Sequence, residues 1–133
     1  MDDYVCSIDV RFNYLCVNVT GPNVPETILR YSADVRAACL RTGLARVLVV
    51  LNLHGSSLSM LDVYKAVAEG SDQSAGIGMR CAYVDLNREH SAETMHLAEA
   101  VAATRGIPMR TFRDVAEAES WLLGSASADH RAL

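Results

Sequence analysis

"RVLVVLNLHGSSLSMLDVYKAV", residues 46–67, decides the fold. It opens with an apolar run, Val47 to Leu51, with Leu53 beyond. A strand that is apolar at every position is buried on both faces, as a central strand is when helices cover its sheet. The run stops at Asn52. His54, Gly55 and the serines Ser56, Ser57 and Ser59 follow, and helical spacing then resumes. Ser57 or Ser59 can cap this helix. Leu58, Leu61 and Ala68, with Tyr64, are expected on its core face, and Met60, Val63 and Val67 form a second stripe.

Upstream, Ile8, Val10 and Phe12 alternate, as do Leu15, Val17 and Val19, with Asn13 between the runs. Period-two alternation on either side of a turn residue reads as a hairpin with one face on a core. "TGPNVPETI" breaks that register. Asn23 with Glu26 fits a capping box, and Pro25 sits in the first turn, where its missing N–H costs nothing. Ile28, Tyr31, Val35, Ala38 and Cys39 recur at helical spacing, so a helix is expected over Val24 to Thr42, closed by Gly43.

Downstream, Gly70 to Gly78 reads as a loop long enough to be mobile. "MRCAYVDL" is the next strand. A helix capped by Ser91 follows, with Thr94, Leu97, Ala98, Val101 and Ala102 as its stripe and Gly106 as its stop. "IPMRTF" is a short edge strand, and "DVAEAESWLL" is a helix with Asp114 and Glu117 in a second capping box. The order is β-β-α-β-α-β-α-β-α. This is an α/β domain with a mixed sheet of about five strands and four helices, since strands alternating with helices pair in parallel through right-handed crossovers. One domain is expected over residues 1–123, with a frayed tail at 124–133.

Composition narrows the function classes. The chain has 133 residues, half of them hydrophobic, and a formal charge of −4. That charge offers no general attraction for nucleic acid or an anionic membrane, and no stretch is long enough for a membrane span. The N-terminus is acidic and lacks the features of a signal peptide. Cys6, Cys16, Cys39 and Cys81 form no C-x-x-C pair and read as reduced thiols, which places the protein in the cytoplasm.

No phosphate-cradling glycine motif is present. A phospho-receiver domain would carry an aspartate where Asn52 stands. His54 and Ser57 are close in sequence, but no nucleophile elbow or orienting acid accompanies them. His90, Glu93 and His96 are spaced too loosely for a metal helix. Neither a metal nor another cofactor is expected. Asp62, Asp72 and Asp85 fall on separate elements, and Asp85, at a strand end, can cap or bridge locally. Ser56, Ser57 and Ser59 lie where backbone N–H groups favour an anion, although the residues alone favour a cap and two turn serines.

The arrangement resembles the STAS domain, and more closely the small SpoIIAA-like stand-alone proteins. "TGPNVPETILRYSADVRAACLRTG", "ARVLVVLNLHG" and "MRTFRDVAEAESWLL" carry the likeness, which spans about residues 5–123. In STAS-type antagonists, a partner kinase phosphorylates a serine in an Asp-Ser-Ser-Gly run at the start of the second helix. That run falls on Gly55, Ser56, Ser57 and Leu58, so both serines are kept while the acid and the glycine are not. The stand-alone relatives generally lack the switch, and some look suited to small apolar molecules or membrane-associated partners.

Three readings follow. The first is a non-enzymatic regulatory module that contacts a protein partner, a kinase or regulator, through His54, Ser56, Ser57 and Ser59. The second is a binder of a small apolar or lipid-like ligand, with Met60, Val63, Val67 and Met79 lining a pocket between the second helix and the sheet. The third is an enzyme, either a hydrolase at His54 and Ser57 or a metal site at His90 and His96. The hairpin edge, with Cys16, Asn18 and Thr20 on an exposed face, is a candidate for homodimerisation.

Overall fold

The computed structural model describes residues 4–131, with side chains described for residues 4–124. The elements are β1 (Val5–Val10), β2 (Leu15–Pro22), α1 (Pro25–Thr42), β3 (Arg46–His54), α2 (Met60–Gln73), β4 (Arg80–Asp85), α3 (Ala92–Thr104), β5 (Met109–Phe112) and α4 (Val115–Arg131). This is the expected order. The side chains of 125–133, where a tail was expected, lie outside the described residues.

The five strands lie in the order β1-β2-β3-β4-β5, so the continuous apolar strand is central. β1 pairs antiparallel with β2, and every later pairing is parallel. Three right-handed crossovers step the same way across the sheet, which puts α1, α2 and α3 side by side on one face. α4 returns over the other face and packs on β3, β4 and β5.

Strand alternation splits the interior into two cores. Leu15, Val17, Val47 and Val49 point to the three-helix face and meet Tyr31, Val35 and Ala38. Leu48, Ala82 and Val84 point the other way and meet Ala118 and Leu122 of α4. On that second face the Arg80 guanidinium lies 3.8 Å from the centre of the Trp121 ring, and Tyr14 gives its hydroxyl hydrogen to Glu119.

Several local expectations are corrected. The N-cap of α1 is Val24, whose side chain makes no capping bond, so Asn23 is not the cap. Pro25 does occupy the first turn, and Gly43 closes the helix. On α2 the inward face mixes the two stripes: Val63 and Ala68 are buried and Val67 packs on the core, while Met60, Leu61 and Tyr64 are exposed. Gly70 to Gln73 belong to α2, which shortens the supposed loop to 74–78. Gly70 is buried where α2 crosses α1, and a Cβ there would lie 3.0 Å from the Ser32 hydroxyl. Phe12 leaves the strand pattern and is fully exposed in the hairpin turn. Cys16 is buried rather than exposed: it shares a face with Asn18 and Thr20, but the core beneath α4 covers its end of that face.

Candidate functional site

The loop between β3 and α2 is held through its backbone. Asn87 donates through Nδ2 to the Leu53 carbonyl at 3.0 Å. The Asn23 N–H reaches the His54 carbonyl at 2.8 Å. His90 Nε2 lies 3.0 Å from the Gly55 carbonyl, and Asn23 Nδ2 donates to the Ser56 carbonyl at 2.8 Å. Four successive carbonyls are thus tied to the start of α1 and to the turn between β4 and α3. Gly55 has φ +109°, a conformation L side chains rarely adopt, which explains the glycine where the compared switch motif has an acid.

His90 is the hub. It is 6% exposed, in the turn just before the Ser91 cap. Its Nδ1 lies 2.7 Å from Asp85 Oδ2, and its Nε2 faces the Gly55 carbonyl. An ionised Asp85 only accepts, so Nδ1–H donates to it, while Nε2 also lies 3.2 Å from Asn23 Nδ2. Asp85 is held in turn by the Asn87 N–H on Oδ1 at 3.0 Å, and Arg113 donates to the His90 carbonyl at 3.2 Å.

The serines are placed differently. Ser59 caps α2 by accepting the Asp62 N–H at 3.1 Å. Ser57 Oγ accepts the Ser91 N–H at 2.8 Å, which ties the loop to the start of α3. Ser56 is exposed. His54 is also exposed, at the end of β3.

Behind the loop lies a cavity of about 90 Å³ that opens to solvent between α1, α2, α3 and the sheet. Its surface is mainly apolar, with Leu51, Leu53, Val63, Met95 and Met109 among the walls, and Ser57, Asp85 and His90 lie at one side. It sits at the carboxyl ends of the parallel strands, because Leu51 pairs with Asp85 and Tyr83 with Thr111 in the ladder. Neither lysine nor arginine lines it. Tyr31 and Tyr83 also line it, with ring centres 6.1 Å apart. Burial raises both phenols above the ordinary tyrosine value, with Asp85 adding to the rise at Tyr31 and Tyr31 adding to it at Tyr83.

The expected pocket residues separate. Val63 lines this cavity. Val67 and Met79 line a smaller one of about 50 Å³ beneath α1 and α2, and Met60 is exposed on α2. His90 and His96 also separate: His96 borders a different groove, beside Arg110, Arg113 and Glu117. Among the described residues no group of three or more His, Cys, Asp or Glu side chains could hold a metal ion. No described helix is long and apolar enough to cross a membrane. The four cysteines are free, and burial pushes the Cys81 thiol up to about 12.

Asn23, Tyr31 and Tyr83 were not foreseen at the site. Asn23 resembled a cap, and both tyrosines resembled ordinary core. The one available signal was a polar residue, Asp85, ending the apolar run at residues 81–84.

No family model matches the chain, and no curated protein matches it. Among solved structures, a similar chain is an uncharacterized protein of the DUF3478 family with a SpoIIAA-like fold from Shewanella loihica PV-4. The match covers 92% of this chain and 95% of that one, at 16% identity and a TM-score of 0.47. The likeness says nothing of ligand or partner.

Proposed function

We propose that this protein is a non-enzymatic binding module that seats a small, mostly apolar molecule in the cavity between α1, α2, α3 and the sheet. One observation carries the reading: an apolar cavity with a few convergent polar groups opens at the strand ends, behind a loop anchored by four consecutive carbonyls. Concave apolar sites with few polar groups are the usual form of small-molecule sites. The occupancy of His90 supports a binding role over catalysis. Both ring nitrogens face fixed partners, so neither is free to take a proton from Ser57 or from a substrate.

The test is saturation-transfer NMR with ethylbenzene on the full chain and on Val63→Trp, which fills the cavity. Binding to the parent chain and its loss in the variant are expected. No binding of ethylbenzene by the parent chain overturns the reading.

The outer side of the same loop favours a second role, contact with a protein partner. Ser56 is exposed, and Met60, Leu61 and Tyr64 on the neighbouring turns of α2 leave apolar surface uncovered. Incubation with cell extract and ATP, followed by mass spectrometry, tests the regulatory form of this role. Phosphate on Ser56 supports it. Unmodified serines count against it.

A further inference from the structure

The cavity holds two hydroxyls that the protein itself does not use. Tyr31 is 5% exposed, and among the described residues neither its hydroxyl nor that of Tyr83 has a hydrogen-bond partner. Neither oxygen is sealed in, since neither is among the fully buried side-chain atoms without a hydrogen bond found in the described residues. The Tyr31 hydroxyl therefore reaches the cavity its residue lines, and Tyr83 stands on the wall between the two cavities. A buried hydroxyl left unpaired costs stability, so such groups normally find a partner.

The charge around the cavity limits what that partner can be. Its lining has no lysine or arginine, and the histidine in it, His90, is already held by Asp85. The Asp85 carboxylate borders the same space and would repel a bound anion. A phenol gives its hydrogen more readily than it accepts one, so an acceptor oxygen suits it best. A cavity of ~150 Å³ takes benzene. This one is smaller but open at its mouth, so a single ring fits with part of it still outside.

We infer that the ligand is an uncharged, ring-sized molecule whose carbonyl-type oxygen accepts the hydroxyl hydrogen of Tyr31, with Tyr83 as second donor. This rests on the cavity being a binding site, as proposed above.

Three probes of one size separate the two ideas: ethylbenzene, acetophenone and benzoate. Each is titrated into the isotope-labelled full chain and into Tyr31→Phe, with amide shifts as the readout. Acetophenone is expected to bind about fivefold tighter than ethylbenzene, the weight of one net hydrogen bond. Benzoate is expected to bind weakest. Tyr31→Phe is expected to lose the preference for the ketone and keep ethylbenzene, which also shows that the variant is folded. If ethylbenzene binds and acetophenone binds no better, or Tyr31→Phe keeps the full preference, the inference falls while the cavity reading stands. Benzoate binding as tightly as acetophenone overturns the requirement for an uncharged ligand. Failure of ethylbenzene to bind the parent chain overturns the cavity reading itself.

Discussion

One face of the sheet is covered by a single helix and the other by three, and the two covers are built differently. Beneath α4, small residues on the strands meet fully buried side chains: Ala82 and Val84 lie against Ala118 and Leu122. Beneath α1, α2 and α3, the strands present Tyr83, Asp85 and Met109, and the helices leave two cavities over them. The α4 face is packed like an ordinary core. The three-helix face gives up some packing and keeps buried polar groups, a pattern typical of functional sites rather than of structure alone.

The widest contrast comes from deleting packing on one face and polarity on the other. Leu122→Ala removes a side chain with no exposure, in a cluster that has little room to close the gap. It is expected to cost about 3 kcal/mol, read as a lowered urea midpoint with unchanged slope. Amide exchange should quicken across the whole sheet.

His90→Ala is expected to cost about 2 kcal/mol, because it strips Asp85 of its partner and leaves the Gly55 carbonyl unmet. Here exchange should quicken first in residues 53–59 and much less beneath α4. Equal loosening on both faces would show that the loop anchor belongs to the general core and that the contrast between faces is false.

Asn23→Ala is smaller, at about 1 kcal/mol, for the loss of a side-chain bond to the Ser56 carbonyl. Its site is informative because Asn23 is not the cap of α1. A true N-cap mutant would fray the helix start, whereas this one should free the loop and leave the exchange of α1 amides unchanged.

That distinction also marks where sequence reading stops. The element order was legible because each element repeats a local signal: the alternation of β2, the continuous run of β3 and the spacing of Tyr31, Val35 and Ala38. Caps at Ser91 and Asp114, and Ser59 as one of two candidates, were legible because cap and target lie within three residues. The site was not, because its bonds span the chain. Asn23 reaches Ser56 across 33 residues, and His90 reaches Gly55 across 35. Nothing in the neighbourhood of Asn23 distinguishes a cap from a long-range anchor, since both use the same side chain before the same proline. The inward face of α2 was read correctly at Ala68 and wrongly at Leu61 and Tyr64 for a related reason. Both of its faces carry apolar residues, and the choice between them depends on where α1 and α3 sit.

The finest test of the contrast leaves the packing intact and removes one oxygen. In the absence of ligand, Tyr31→Phe is expected to leave stability unchanged or raise it by up to about 1 kcal/mol, because the lost hydroxyl satisfied nothing and was costly to bury. A hydroxyl bonded within the protein would behave oppositely and cost about that much. Alkaline titration extends the test. Burial raises the folded value of Tyr31 above 10, so the folded chain keeps a proton that the unfolded chain loses. The sign is therefore fixed: the contribution of Tyr31 to stability is complete below pH 10 and declines as the pH climbs beyond it. Tyr31→Phe should flatten that decline, as followed by urea midpoints between pH 9 and 11. A decline just as steep in the variant would place the alkaline sensitivity elsewhere, and the hydroxyl in the cavity would then differ little from one in water.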